Sequence, residues 1–330
     1  METLTKAEFV QKWGHPTSVG IFDQACRIFS APEINGIIGY RWQSKNAIVI
    51  GDPICPPQDL LKLITAFSDY CTAHSKNIIF LATSDHFTHW ALEHNLFARS
   101  IEIGSEIIIN PTDNILEGIG KNSSRLRNKY NLALRDGLLV KEYNEYDPII
   151  EQKIKQVTCL WHKNRKGPQI YLSDLSILSD RAYKRYFYAE QHGKMLGVLV
   201  LNRIDNYNGW FINILMLIPD AHNSTSEFII LKMLEFLRNE NCKHLSIGIN
   251  STNKLGQLYG FNRLTSWAAR KTYYLISTLF QLNNRERYWK KFNPSKKPAF
   301  LLFTRPLLRL REVLDILDAV NVRKNKKNMY

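Results

Sequence analysis

The chain has 330 residues, room for two domains of roughly 150 residues each, and its 45% hydrophobic content with 15 Tyr, 16 Phe and 7 Trp argues for packed cores over disorder. Lys and Arg outnumber Asp and Glu by 44 to 30, a formal charge of +14. That excess favours an anionic partner, whether nucleic acid, an anionic lipid surface or a phosphate-bearing ligand, without choosing among them. Five scattered cysteines never form CxxC, which suits a reducing compartment and gives no zinc signature. His86 and His89 lie one helical turn apart and read as surface histidines, so no metal is expected. The first residues, METLTKAEFVQKWG, contain acids and no apolar core, so no signal peptide is read there. No apolar run approaches the ~20 residues a bilayer requires. The expectation is a cytoplasmic protein.

In chain order, 37–42 (GIIGYR) and 47–50 (AIVI) read as paired strands, and Gly51-Asp52-Pro53 leads into an amphipathic helix near 57–75. NIIFLAT (77–83) is a buried-type strand, 85–95 a helix and 100–110 an alternating strand. Next comes GKNSSRLRNKYNLALRDG (120–137), a helix that Gly137 stops. Leu126, Tyr130, Ala133 and Leu134 share its core face, while Ser124, Arg127, Asn131 and Arg135 line another. Its charge fits a solvated basic face or a docking surface for a polyanion. The second part begins with a strand at 138–144 and a helix near 147–165. A hairpin over 186–204 turns at His192-Gly193-Lys194, and a strand at 210–218, a helix at 225–240, a strand at 244–250 and a late strand near 299–304 follow. From Arg305 the chain reads as a terminal helix with a basic end, RKNKK (323–327). The pattern predicts an α+β fold of two similar halves, 1–137 and 138–330, each a twisted mixed sheet flanked by helices. Neither GxGxxG nor a P-loop motif occurs.

Three stretches, AIVIGDPICPPQDLLKLITAF, EIGSEIIINPTDNILEGIGKNSSRLRNKYNLALRDGL and YWKKFNPSKKPAFLLF, fall in order within residues 40–305. Together they resemble the soluble catalytic domain of bacterial phosphatidylglycerol lysyltransferases, a family of two tandem GNAT-type acyltransferase folds. The resemblance implies transfer of an aminoacyl group from aminoacyl-tRNA to a lipid head group or other polar acceptor. It also implies an anionic membrane surface as a partner and peripheral contact with the inner membrane face; DNA is not expected. Phosphates of tRNA or lipid would draw on the same basic surface. On this reading Arg127 and Arg135 bind phosphate with Asn131 between them as hydrogen-bonding support, Arg125 joins them in substrate binding, and Lys291, matching the family's Lys-Phe-x-Pro motif, holds a phosphate or the developing oxyanion.

The chain also departs from the family. Where the family has Asp-Leu-Met-Arg, INILMLI places Ile214 and Leu217 at the charged positions, with Asn213 as nearby polarity. The following loop, AHNSTSEF, has no glycine to cradle a pyrophosphate. An acyl-CoA cofactor is therefore an alternative without direct support, and a catalytically lapsed anion-binding module is another. For acid–base work the candidates are His222 and Glu227 around that helix start, and Tyr259, which resembles the GNAT tyrosine before Gly-Phe that protonates a leaving thiolate.

Overall fold

Each part of the chain builds antiparallel strands and then one parallel strand–helix–strand crossover. The computed structural model describes residues 4–320 except 24, 165–176, 180, 253, 280–282 and 306–309. A capping box between Thr5 and Glu8 starts α1 (Lys6–Trp13). β1 (Arg27–Phe29), β2 (Ile38–Trp42) and β3 (Asn46–Ile50) pair antiparallel. Then α2 (Leu60–Ala73) carries the chain to β4 (Asn77–Ser84), parallel to β3. Ser84 caps α3 (Asp85–Glu93) through the Phe87 N–H, and β5 (Arg99–Ile109) and the basic helix α4 (Lys121–Arg135) follow.

The second part runs β6 (Leu139–Glu142), α5 (Pro148–Asn164), β7 (Lys184–Gln191), β8 (Lys194–Ile204) and β9 (Gly209–Leu217). His192 and Gly193, both at positive φ, make the two-residue turn between β7 and β8 that strand twist favours. α6 (Thr225–Asn239) crosses to β10 (Leu245–Ser251), parallel to β9. β11 (Leu258–Tyr259), α7 (Arg263–Leu279), α8 (Asn283–Lys290), β12 (Ser295–Phe303) and α9 (Leu310–Val320) complete the described chain. The basic run at 323–327 lies outside the described residues. The expected α+β class, a mixed sheet flanked by helices, is what the chain adopts.

The strands form one sheet ordered β1-β2-β3-β4-β12-β5-β10-β9-β8-β7-β6, with β11 beside β5. Its centre is an exchange. β5, the last strand before the basic helix, pairs with β10 of the later part, while β12 inserts between β4 and β5. Both halves thereby share one hydrogen-bonded ladder. The N-terminal segment adds a second tie: Phe9, Val10, Val19 and Ile21 pack with Ile37 and Ile54 on one side and Ile204 and Phe211 on the other. Beside them a buried polar cluster closes the seam, with His15 Nε2 3.2 Å from Glu106 Oε2 and the Ser246 hydroxyl donating to Glu106 Oε1 at 2.7 Å.

Helices cover both faces of the sheet. α2 and α3 bury Leu63, Phe67, Phe87 and Ala91 against β2, β3 and β4, and α9 and α7 cover the opposite face. In the second part α6 lies over Phe187, Leu199, Leu201 and Ile212, while α5 takes the face of Tyr188, Val198, Val200 and Ile214. A β-bulge makes that division possible. Ile212 pairs with Leu201 and Ile214 with Val200, so Asn213 is the extra residue and its two neighbours turn to opposite faces.

Candidate functional site

The basic helix is held to the body by Ser123, Leu126 and Ala133, which are buried, and by Tyr130, whose ring lies 5.2 Å from that of Phe228 on α6. With that face fixed, 3.6-residue periodicity aims Asn122, Arg125, Lys129 and Leu132 to one side. There they form a wall of a cavity of about 710 Å³, a size typical of small-ligand sites. The facing wall is Arg287 and Lys290 of α8 with Lys291 just beyond it, fixed by the buried side chains of Trp289 and Phe292. Glu227, in the first turn of α6, is the acidic lining residue. Among the described residues, five cations, Arg125, Lys129, Arg287, Lys290 and Lys291, thus surround a single carboxylate.

Glu227 and Lys291 form a tight pair. Lys291 Nζ donates to Glu227 Oε1 at 2.5 Å, and the Ser226 hydroxyl donates to Oε2 at 2.6 Å. The ammonium also rides 3.8 Å from the centroid of the Tyr288 ring, a cation–π contact that fixes its height over the wall. Burial on its own would raise the Glu227 carboxyl; the hydrogen bonds from Lys291 and Ser226 outweigh it and hold it below the usual carboxylate range. Burial likewise pushes the Tyr288 phenol up, so it stays neutral. The chemistry on offer is a fixed carboxylate, a positioned ammonium and further cations at the rim.

The sequence candidates scatter around this cavity. Glu227, Lys291 and Arg125 line it. Arg127 does not: its Nη1 donates to the carbonyls of Leu116 at 2.6 Å and Gly118 at 2.7 Å, clamping the turn that precedes α4. Asn131 and Arg135 are exposed on the same remote flank, roughly a third of a turn round the helix from the cavity wall. His222 bonds Ser224 Oγ through Nδ1 at 2.8 Å and sits 3.6 Å from Asp136 at the far end of α4, outside the lining. Tyr259 is exposed on β11 beside Ser100, again outside it. Asn213 is buried at the β9 bulge, and Ile214 faces an apolar cluster that offers a charge no partner.

Asn122, Lys129, Arg287 and Lys290 were absent from the sequence candidates. Lys129 lies in the basic run and Lys290 and Arg287 in the stretch before Lys-Phe-x-Pro, so the signal was their place in those motifs. The loop before α6 is partly occupied: Lys129 Nζ donates to the Asn223 carbonyl at 2.9 Å and the Thr225 N–H to that of His222. Among the described residues no group of three or more His, Cys, Asp or Glu is placed to hold a metal, and no helix is long and apolar enough to cross a membrane.

The mixed sheet flanked by helices is that of an α+β protein, and its cationic cavity holds the Lys291–Glu227 ion pair. The chain belongs to the family described as phosphatidylglycerol lysyltransferase, C-terminal, whose model matches residues 14–303. Relatives named phosphatidylglycerol lysyltransferase include one from Staphylococcus epidermidis, 23% identical over 299 residues and 87% of this chain, and one from Staphylococcus aureus, 22% identical over 310 residues and 89% of it. The chain spans only 34% of the length of each. Among solved structures, L-PGS from Bacillus licheniformis superimposes with a TM-score of 0.76 at 14% identity, covering 96% of both chains. The C-terminal domain of a putative lysylphosphatidylglycerol synthetase from Agrobacterium fabrum gives 0.74 at 18% identity, covering 95% of this chain and 94% of that one.

Proposed function

We propose that this chain transfers an aminoacyl group from aminoacyl-tRNA to a hydroxyl of a lipid head group, and that the α4–α8 cavity is where it does so. The observation that carries the reading is the Lys291–Glu227 pair inside a ring of four further cations. Phosphate groups of the substrates bind Arg125, Lys129, Arg287 and Lys290. Lys291, pinned by Glu227 and Tyr288, faces the ester carbonyl. The acceptor hydroxyl oxygen attacks that carbon and an oxyanion develops beside the ammonium. The acyl–oxygen bond to the ribose then breaks, the ribose oxygen takes up a proton and the acceptor has lost one, so one ester replaces another. Glu227 is held as a carboxylate, which suits it to orient or deprotonate the hydroxyl and not to act as an acid.

Ile214 and Leu217 stand where the family carries its charged pair, so the test uses a panel of charged tRNAs and several phospholipids. Labelled aminoacyl groups should pass to lipid with at least one donor, and Lys291→Ala should slow transfer by about a hundredfold or more while the protein still binds tRNA. Tight acetyl-CoA binding with no response to charged tRNA would overturn the proposal.

A further inference from the structure

The outward face of α7 is apolar. Leu264, Trp267, Tyr274 and Leu275 are 74%, 61%, 60% and 70% exposed, and at 3.6 residues per turn they fall on one stripe with Lys271 in its middle. The opposite side of the helix is the one that holds it. Ala269 and Tyr273 pack on the sheet with Ile101, Ile103 and Leu255, and the Tyr273 hydroxyl donates to the carbonyls of Ile103 or Thr252 at 3.0 and 2.8 Å. The stripe is therefore displayed by a rigidly seated helix. The segment RLTSWAARKTYYLISTL contains Arg263, Arg270 and Lys271 and no acid.

We propose that this face of α7 docks on an anionic phospholipid surface. Leucine and tryptophan side chains enter the boundary between head groups and acyl chains, and Trp and Tyr are the residues that prefer that depth. Lys271 lies flat along the stripe with its ammonium reaching to the phosphates, and Arg263 flanks it. The charge pattern separates lipid from protein occupants. A lysine at the centre of an apolar patch is disfavoured in protein–protein cores. A two-fold contact with a second copy would set these cations against their own counterparts, since such an interface is self-complementary. The surface is also well placed: α8, which begins four positions after α7 ends, carries Arg287 and Lys290 of the cavity wall.

The test is binding of the full chain to vesicles of phosphatidylcholine with or without phosphatidylglycerol, read by co-sedimentation and by quenching of Trp267 with brominated acyl chains. Trp267 is the tryptophan that ranks as exposed, so lipid quenching reports it first. Mixed vesicles should bind in low salt, pure phosphatidylcholine weakly. The triple variant Leu264→Ser, Trp267→Ser, Leu275→Ser should lose about a hundredfold in affinity with an unchanged melting temperature. Lys271→Glu should lose about fivefold or more and reduce the salt dependence. No vesicle binding, or binding that the triple variant retains, overturns the proposal. So does a dimer in solution that the triple variant abolishes while vesicles are ignored. No aminoacyl donor is present in this measurement, so a failed transfer assay would leave docking standing, and failed docking would leave the transfer reading standing.

Discussion

Lys291 and Glu227 are each legible in the sequence, one from the Lys-Phe-x-Pro stretch and one from its place in the first turn of a helix, but nothing in the letters joins them. Sixty-odd residues of chain separate them, and only the seating of α8 against β10, with Trp289 and Phe292 in the core that α6 shares, brings the ammonium to the carboxylate. The pair makes stability depend on pH in a definite direction. The folded carboxyl is held below its ordinary value, so its contribution is complete above that ordinary value and is lost as pH falls through the lower, folded one. Lys291→Met leaves a mostly buried carboxylate without its cation and should cost about 3 kcal/mol at neutral pH. It should also weaken the loss of stability on acidification, since the depressed titration is gone. Adding Glu227→Gln should restore most of the stability, because a pair removed together leaves no orphaned charge. Denaturant melts of the parent, the single and the double variant between pH 3 and pH 7 decide it: a single variant as stable as the parent at neutral pH would show that the pair carries no such energy.

At the scale of elements, periodicity located most helices and strands to within a few residues, including the basic helix and the His192–Gly193 hairpin. It failed in two instructive ways. On α4 it identified the inner face, although Leu134 is 47% exposed, but of its four polar candidates there only Arg125 falls on the flank that lines the cavity, while Arg127, Asn131 and Arg135 lie outside it. Both flanks of the helix are polar, and which one meets a cavity depends on where α8 arrives from far along the chain. α7 is poorly legible in the sequence for a different reason. It has apolar residues on its outer stripe as well as on its inner one, which blurs the one-sided pattern that marks an ordinary surface helix. The two flanks of α4 now make opposite predictions. Arg125→Ala should weaken polyanion binding and reduce the salt slope by about one unit with little change in stability. Arg127→Ala should lower stability by about 2 kcal/mol, by freeing the Leu116 and Gly118 carbonyls, and leave the slope alone. Titrations with tRNA at several salt concentrations, beside thermal melts, would reject the assignment if the two variants behaved alike.

For the whole molecule, the exchange of β5 and β12 decides what can fold by itself. The sequence showed two similar series of elements and invited a cut near residue 137. Pairing partners are not encoded in alternation, however: a strand's pattern reports which face is buried and not which neighbour it takes. In the sheet, Phe300 of β12 sits between Glu102 and Thr83, and Ile107 of β5 lies between Gly248 and Lys296. A fragment of 1–137 therefore keeps β5 but loses both of its main neighbours, and β4 loses β12. A fragment of 138–330 keeps β12 and β10 with no strand to lie between them. Each would expose long unpaired edges and part of its core, and neither should show a cooperative melt alone. Mixed together they offer each other the missing strands, so the two fragments should associate and regain one shared transition. Backbone amide spectra and melting curves of the fragments, separate and combined, test this directly. A cooperative transition in isolated 1–137 would mean that the shared ladder is not what holds the halves together. Recovery only on mixing would identify the strand exchange as the element that fixes α4 and α8 on either side of the cavity.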